Sequence, residues 1–181
     1  DDAAGMVGTR LALPSLARAA TFTVNNNGNT SDVTPGDGLC RDANNRCTLR
    51  AAIMEANALA GADTINLQSG ATYTISTADT GDPANAFPLI TTQIVITGNG
   101  ATIRRDPAAG TPVFRLLRVF APGNLTLRNL TLTGGSGPSG GALYVGAGST
   151  ATLSGVTLQG NQATANTGGG GAIINDGGTL T

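Results

Sequence analysis

At 181 residues the chain is long enough for one domain with a buried core, alone or with a terminal appendage. It carries 27 glycines, only 12% charged and 3% aromatic residues, no His, Lys or Trp, and a formal net charge of −1. That is too aliphatic for a disordered chain, and it has no basic excess with which to bind nucleic acid or an anionic membrane. Without His there is no Ser-His-Asp or Cys-His nucleophile system and no His metal ligand; without Lys there is no Schiff base or P-loop lysine. Glu55 is the only Glu and the Asp residues are scattered. Acid–base carbohydrate chemistry through Asp is the one common enzymatic route left open.

Residues 1–20 form a distinct Ala/Leu/Arg-rich segment around Pro14. Its end, LALPSLARAA, has the flavour of a secretory signal, yet it lacks a basic n-region and is broken by the proline. It reads as a retained N-terminal arm whose Val7, Leu11, Leu13 and Leu16 need a surface, on this domain or on a neighbouring chain. No apolar run approaches the roughly 20 residues of a membrane span.

From Thr21 the text changes. TFTV alternates with period two and predicts a strand, and a long Gly/Asn/Asp-rich loop follows that contains Cys40 and Cys47. An even cysteine count in such a chain points to a disulfide and an oxidising compartment; two free thiols are the alternative. Closing so short a loop contributes on the order of 2–3 kcal/mol at most through chain entropy, so its main effect is to hold the loop. Thr48 then fits a helix N-cap, and Leu49, Ile53, Ala56 and Leu59 fall on one face of a helix that Gly61 ends. That apolar face is expected to cover the end of a core. In the preceding loop Asp32, Asp37 and Asp42 are oxygen donors that a Ca²⁺ site could use, but their spacing matches no EF-hand and Asp is ordinary in turns.

Beyond Gly61 no helical period returns. Short strands are separated by Gly/Asn turns: TINL (64–67), TYTI (72–75), IVI (94–96), ATI (101–103), LRVF (117–120), LTL (125–127) and LTL (130–132). ALYV (142–145), ATL (151–153), VTL (156–158), AII (172–174) and TLT (179–181) follow. Taking the first strand of each set, Ile65, Val95, Val119, Leu143 and Ile173 recur at intervals of 30, 24, 24 and 30 residues. Internal likeness is clearest between LTLRNLTLTGG (125–135) and ATLSGVTLQGN (151–161), and between GGALYVGAGST (140–150) and GGAIINDGGT (170–179). A repeat of 20 to 30 residues made of short strands predicts an all-β solenoid, a right-handed parallel β-helix of about four to five coils with one capping helix. Alternate Leu, Ile and Val point inward and Thr outward, with Asn129 and Asn161 bonding backbone at bends. The organisation is an arm (1–20), a cap with the Cys loop and helix (21–63), and repeats (64–181).

The run CTLRAAIMEANALAGADTINL (47–67), preceded by TFTV and the PGDGLC loop, closely resembles the CSLREA-type N-terminal domain of bacterial exported and surface proteins. The LTLxNLTLTGG and GGA(L/I) pieces resemble the parallel β-helix repeats that follow such domains. The resemblance covers Thr21 onward, is specific within 47–67 and looser in the repeats. Thr48-Leu49-Arg50 matches the signature, but Ala51 stands where the signature's Glu would complete a capping box. The family implies an exported, surface or adhesin-like chain and carries no accepted catalytic residues.

The function expected is therefore a non-enzymatic extracellular structural or adhesive β-helix, without cofactor, membrane span or nucleic-acid partner. The text ends at Thr181 inside a coil, so either more chain follows or another copy completes the stack. The latter predicts head-to-tail self-association through the arm residues and Leu180, building a filament or surface layer; a cell-surface or matrix partner is the other option. The competing reading is a carbohydrate-active, pectate-lyase-like enzyme or glycan-binding module. It needs clustered carboxylates and stacking aromatics, and of the charged runs only Arg104-Arg105-Asp106 stands out, as a solvated loop by default.

Overall fold

In the computed structural model, residues 18–165 and 169–181 are described. Along the chain these form β1 (Thr21–Thr23), α1 (Leu49–Ala58), β2 (Ala62–Asn66), β3 (Thr72–Ile75) and β4 (Gln93–Arg105). Next come β5 (Leu117–Val119), β6 (Asn124–Thr133), β7 (Ser136–Gly137), β8 (Leu143–Gly146) and β9 (Thr150–Ser154). The last are β10 (Thr157–Gln159), β11 (Gln162–Ala163), β12 (Ile173–Asp176) and β13 (Thr179–Leu180).

Every pairing between these strands is parallel. Parallel neighbours need a return path between them, and here each return is one turn of a coil. The main ladder runs β1-β2-β4-β6-β9-β13. Ala62 pairs with Gln93, Gln93 with Asn124, Asn124 with Thr150 and Thr150 with Thr179, so successive coils are 31, 31, 26 and 29 residues long. The protein is a β-solenoid of about four turns with one helix.

The coil has three sides because the chain turns at fixed places. β4 and β6 each run through a bend where two separate strands were expected, at Gly98-Asn99-Gly100 and at Asn129, and the ladder register shifts there. Asn99 and Asn129 take φ of 52° and 50°, and Gly155 repeats the bend at 63°; Asn is among the few non-glycine residues that adopt this region readily. Past the bend, β3, the second half of β4, the second half of β6 and β10 stack as the next side. The third side is β5-β8-β12, with a short β7-β11 pair between. Asn161 clips two coils together as expected, donating Nδ2–H to the Leu132 carbonyl (2.9 Å) and accepting the Gly135 amide (2.9 Å). Asn99 Nδ2 does the same to the Leu67 carbonyl (3.0 Å).

Inside, period-two alternation becomes vertical columns. Ile65, Ile96, Leu127 and Leu153 lie in register, as do Ile94, Leu125, Ala151 and Leu180. Tyr73, Ile103, Leu132 and Leu158 form the column after the bend, and Leu117, Leu143 and Ile173 the one on the third side. All but the last member of each column are fully buried; Leu153, Leu158 and Ile173 are half-buried, and Leu180 is 38% exposed. At about 1.5–3 kcal/mol per buried aliphatic side chain these columns hold the coils together.

The ladder expected from Ile65, Val95, Val119, Leu143 and Ile173 needs correction. Ile65 stacks on Ile96, whereas Val119 stacks on Val145 on a different side of the coil. The intervals mixed two sides because segments 76–92 and 106–116 carry no strand: the first strand after 76–92, β4, returns to the side of β2, whereas the first after 106–116, β5, lies on another. The two long internal likenesses do stack as aligned, Leu125–Leu127 on Ala151–Leu153 and Leu143–Val145 on Ile173–Asn175.

The close approach of coils fixes Gly98: a Cβ there would lie 2.3 Å from Leu130 Cβ and 2.5 Å from the Asn129 carbonyl oxygen. Gly98→Ala is expected to destabilise the solenoid by about 1–3 kcal/mol in urea unfolding, whereas Gly70→Ala, which meets nothing within 4 Å, loses only the cost of its positive φ. Equal losses in the two variants would show that coil-to-coil contact at Gly98 is not the constraint.

Candidate functional site

Two places gather side chains beyond the aliphatic columns, the cap and one lateral face. In the cap, Thr48 is the N-cap of α1, its Oγ1 accepting the Ala51 amide (3.1 Å) and donating to the Thr30 carbonyl (2.5 Å). That second bond ties the loop to the helix start where the reciprocal half of a capping box is missing. Leu49, Ile53 and Ala56 are buried against the first coil, and Leu59, at the C-cap, is half-buried. The opposite face is also covered, because the loop before the helix wraps it. Glu55 is fully buried and accepts the amides of Gly36 (2.6 Å) and Gly38 (2.5 Å). Arg50, 5% exposed, pairs with Asp79, donates to the Ala86 carbonyl and to Asn29, and lies over the Phe87 ring. Both charges fasten the helix to segments outside it.

Cys40 and Cys47 form a disulfide with Cα atoms 5.0 Å apart. Around it the loop carboxylates are consumed as braces. Asp32 accepts the Thr34 and Arg41 amides (both 2.8 Å), and Asp37 accepts the Leu39 amide (2.9 Å) and pairs with Arg41 (2.6 Å). Asp42 takes the Asn44 and Arg46 amides, the Thr30 hydroxyl and the Arg46 guanidinium. Among the described residues no three His, Cys, Asp or Glu side chains converge, so Asp32, Asp37 and Asp42 do not meet as a ligand set. Arg104 and Arg105 are likewise engaged within the fold, Arg104 with Thr74 on the neighbouring coil and Arg105 with the Thr111 and Pro112 carbonyls. Of the residues expected to mediate assembly, Val7, Leu11, Leu13 and Leu16 lie outside the described residues, while Leu180 occupies the inward column above Ala151.

The lateral face was not foreseen. On the outside of the β5-β8-β12 side, Arg118 is the register partner of Tyr144, and its guanidinium lies 4.9 Å from the Tyr144 ring centroid. Arg115 lies 4.8 Å from the same centroid. Asp82, from the first coil, pairs with Arg118 (3.1 Å), and Tyr144 donates its hydroxyl to Asp176 of the fourth. Asn85 bridges to Arg115 along the ladder and Phe120, 48% exposed, flanks Arg118. Four successive coils thus contribute to one outward cluster. Its polar groups are incompletely satisfied: Asn85 Oδ1 and Nδ2, Arg115 Nε and Nη1, and Arg118 Nε are buried without a hydrogen-bond partner among the described residues. Arg115 is 5% exposed and has no carboxylate partner there, and burial followed by the neighbouring Arg118 pulls its pKa down. Sequence offered one usable signal, the outward position after the leucine in LRVF and in ALYV; Asp82 and Asp176 came from turns with no repeat to align them.

Comparison with protein-family models, with curated proteins and with solved structures finds no match to this chain.

Asp42 is held well below the usual carboxylate range, chiefly by the Arg46 guanidinium and then by the Thr30 hydroxyl, against an opposing push from burial. Because it titrates lower folded than unfolded, the stability it contributes is complete above the ordinary aspartate value of about 3.9 and fades as pH falls below it. Asp42→Asn is expected to flatten the acid limb of Tm against pH; an unaltered limb would assign acid unfolding to other carboxylates. On the lateral face, the Tyr144 phenol is raised by the bond it donates to Asp176 and then by burial, and burial raises Tyr73. In an absorbance titration Asp176→Asn should lower the Tyr144 step and leave that of Tyr73 in place; an immobile Tyr144 step would mean that the phenol–carboxylate bond is not made.

Proposed function

We propose that this chain is an exported, non-catalytic β-solenoid of structural or adhesive kind, with a CSLREA-type cap at its N-terminal end. The observation that carries the reading is the use of its carboxylates. Among the described residues every acidic side chain accepts at least one hydrogen bond from the chain itself: Asp32, Asp37, Asp42 and Glu55 brace the cap, Asp63 takes the Ala20 amide, and Asp79 holds Arg50. Asp82, Asp106 and Asp176 are bound to Arg118, the Ala108 amide and Tyr144. Acid–base cleavage of a glycosidic bond needs two carboxyl groups facing a substrate across a gap of about 5–9 Å, and these are spent on structure. The Cys40–Cys47 disulfide fits export to an oxidising compartment, and no helix among the described residues is long and apolar enough to cross a membrane.

Self-association is a second component of the reading. Among the described residues β10, β12 and β13 each pair on one side only, and Leu158 in β10, Ile173 in β12 and Leu153 in β9 are left half-buried there. Such an edge accepts a further coil, from sequence following Thr181 or from a second copy.

Incubated with acidic and neutral polysaccharides, the purified protein is expected to release neither unsaturated products nor new reducing ends. Turnover that disappears in Asp82→Asn would overturn the non-catalytic reading. Fractionation of producing cells should place the chain outside the cytoplasm, with no maleimide-reactive thiol until it is reduced; a reduced, cytoplasmic chain would defeat the export reading.

A further inference from the structure

One inward position breaks the aliphatic pattern of the core. Asp63 of β2 is the register partner of Ile94 and so stands at the head of the column that continues through Leu125 and Ala151. It is fully buried. Its Oδ1 accepts the Ala20 amide at 2.7 Å, and its Oδ2 is buried with no hydrogen-bond partner among the described residues. Among those residues no ion pair includes it. A buried carboxylate is costly unless it meets a counter-charge, and one neutral amide supplies none.

The nitrogen that Asp63 holds lies where a charge can be made. Residues 17–19 read Ala-Arg-Ala, the small-x-small pattern after which a leader peptidase cuts, and the apolar LALPSL precedes them. The bond so marked joins Ala19 to Ala20. Hydrolysis adds one water across it, leaving a carboxylate on Ala19, which departs with the leader, and an α-ammonium on Ala20. The ladder keeps Ala20 in place without the residues before it, because its carbonyl accepts the Thr64 amide (2.9 Å) and β1 begins at the next residue. Ala20 is half-buried and borders a cavity of about 540 Å³ that Phe22, Gly38 and Leu59 also line. The ammonium hydrogens that Asp63 does not take therefore have room for water.

We propose that the bond between Ala19 and Ala20 is cut by a leader peptidase during export and that Asp63 receives the new α-ammonium as its buried counter-ion. The inference rests on the export proposed above, and it replaces the retained arm expected from the sequence with a removed leader. Stability then follows processing. The uncut chain leaves Asp63 against a neutral amide, whereas the cut chain pairs it with a charge that can reach both of its oxygens.

Because the chain contains no Lys, the α-amine is its only amino group, and amine reagents report on it alone. Protein recovered from outside producing cells is expected to begin at Ala20 by N-terminal sequencing. At neutral pH its amine should be acylated roughly tenfold more slowly in the folded protein than in urea, and Asp63→Asn should restore most of the lost rate. Acetylating the amine in urea and refolding the chain recreates the neutral donor. Tm is then expected to fall by about 4 °C or more in the parent, and not to fall in Asp63→Asn, where the ammonium stands buried without a counter-charge. The urea comparison and the acetylation of the parent decide the matter even if Asp63→Asn does not fold. An exported chain that keeps residues before Ala20 or begins beyond it overturns the inference and leaves export standing. So does an amine at Ala20 that reacts equally in folded and unfolded protein, is indifferent to Asp63, or can be acetylated without loss of Tm. An uncut chain confined to the cytoplasm defeats the export reading and the inference together.

Discussion

Everything in this molecule depends on parallel registration of one coil upon the next. A parallel ladder joins each rung to its neighbours by evenly spaced backbone hydrogen bonds, so the side chain at a given position of one coil lies directly over the same position of the next. Ile65, Ile96, Leu127 and Leu153 form a column for that reason alone. No single coil could bury its aliphatic face, and stability comes from the interfaces between coils. Registration also restricts the bends: where Gly98 passes Leu130 and Asn129, the backbones come too close for any side chain, and the positive φ of Asn99, Asn129 and Gly155 recurs because the turn recurs.

A stack of this kind has an end that must be closed, and the chemistry of the cap follows. The helix brings Leu49, Ile53 and Ala56 down onto the first coil. A lone amphipathic helix would leave its other side wet; here the disulfide-closed loop lies over it and needs anchors in a dry setting. Buried charges are tolerated when fully paired. Glu55 meets two loop amides, and Arg50 divides its donors among Asp79, Ala86 and Asn29. The only Glu and one of the ten Arg are therefore structural clamps, which bears directly on how little of the acidic inventory is left for chemistry.

Registration has a second consequence on the outside. Outward positions stack as inward ones do, so residues a whole coil apart meet without any contribution from local sequence. Asp82, Arg118, Tyr144 and Asp176 come from four coils and form one connected cluster. The same geometry that buries Leu and Ile in rows gathers two guanidiniums on one tyrosine ring, next to an exposed phenylalanine.

By itself the sequence determined the class of fold and its punctuation. Period-two aliphatic alternation, Asn and Gly at the bends, and two internal likenesses sufficed for a parallel solenoid, because each rests on local steric and burial preferences that hold in any context. The Thr48 cap, the helix and the pairing of Cys40 with Cys47 were legible for the same reason. What tertiary structure alone decided was which rung lies on which. Strandless segments 76–92 and 106–116 broke the repeat, and so Val119 was set above Val95 when it belongs beneath Val145. The partners of Arg50, Glu55 and Asp82, and the convergence of Arg115 and Arg118 on Tyr144, were hidden with it. Contacts between coils are fixed by the length of the intervening loops, and no local propensity records that length as a register.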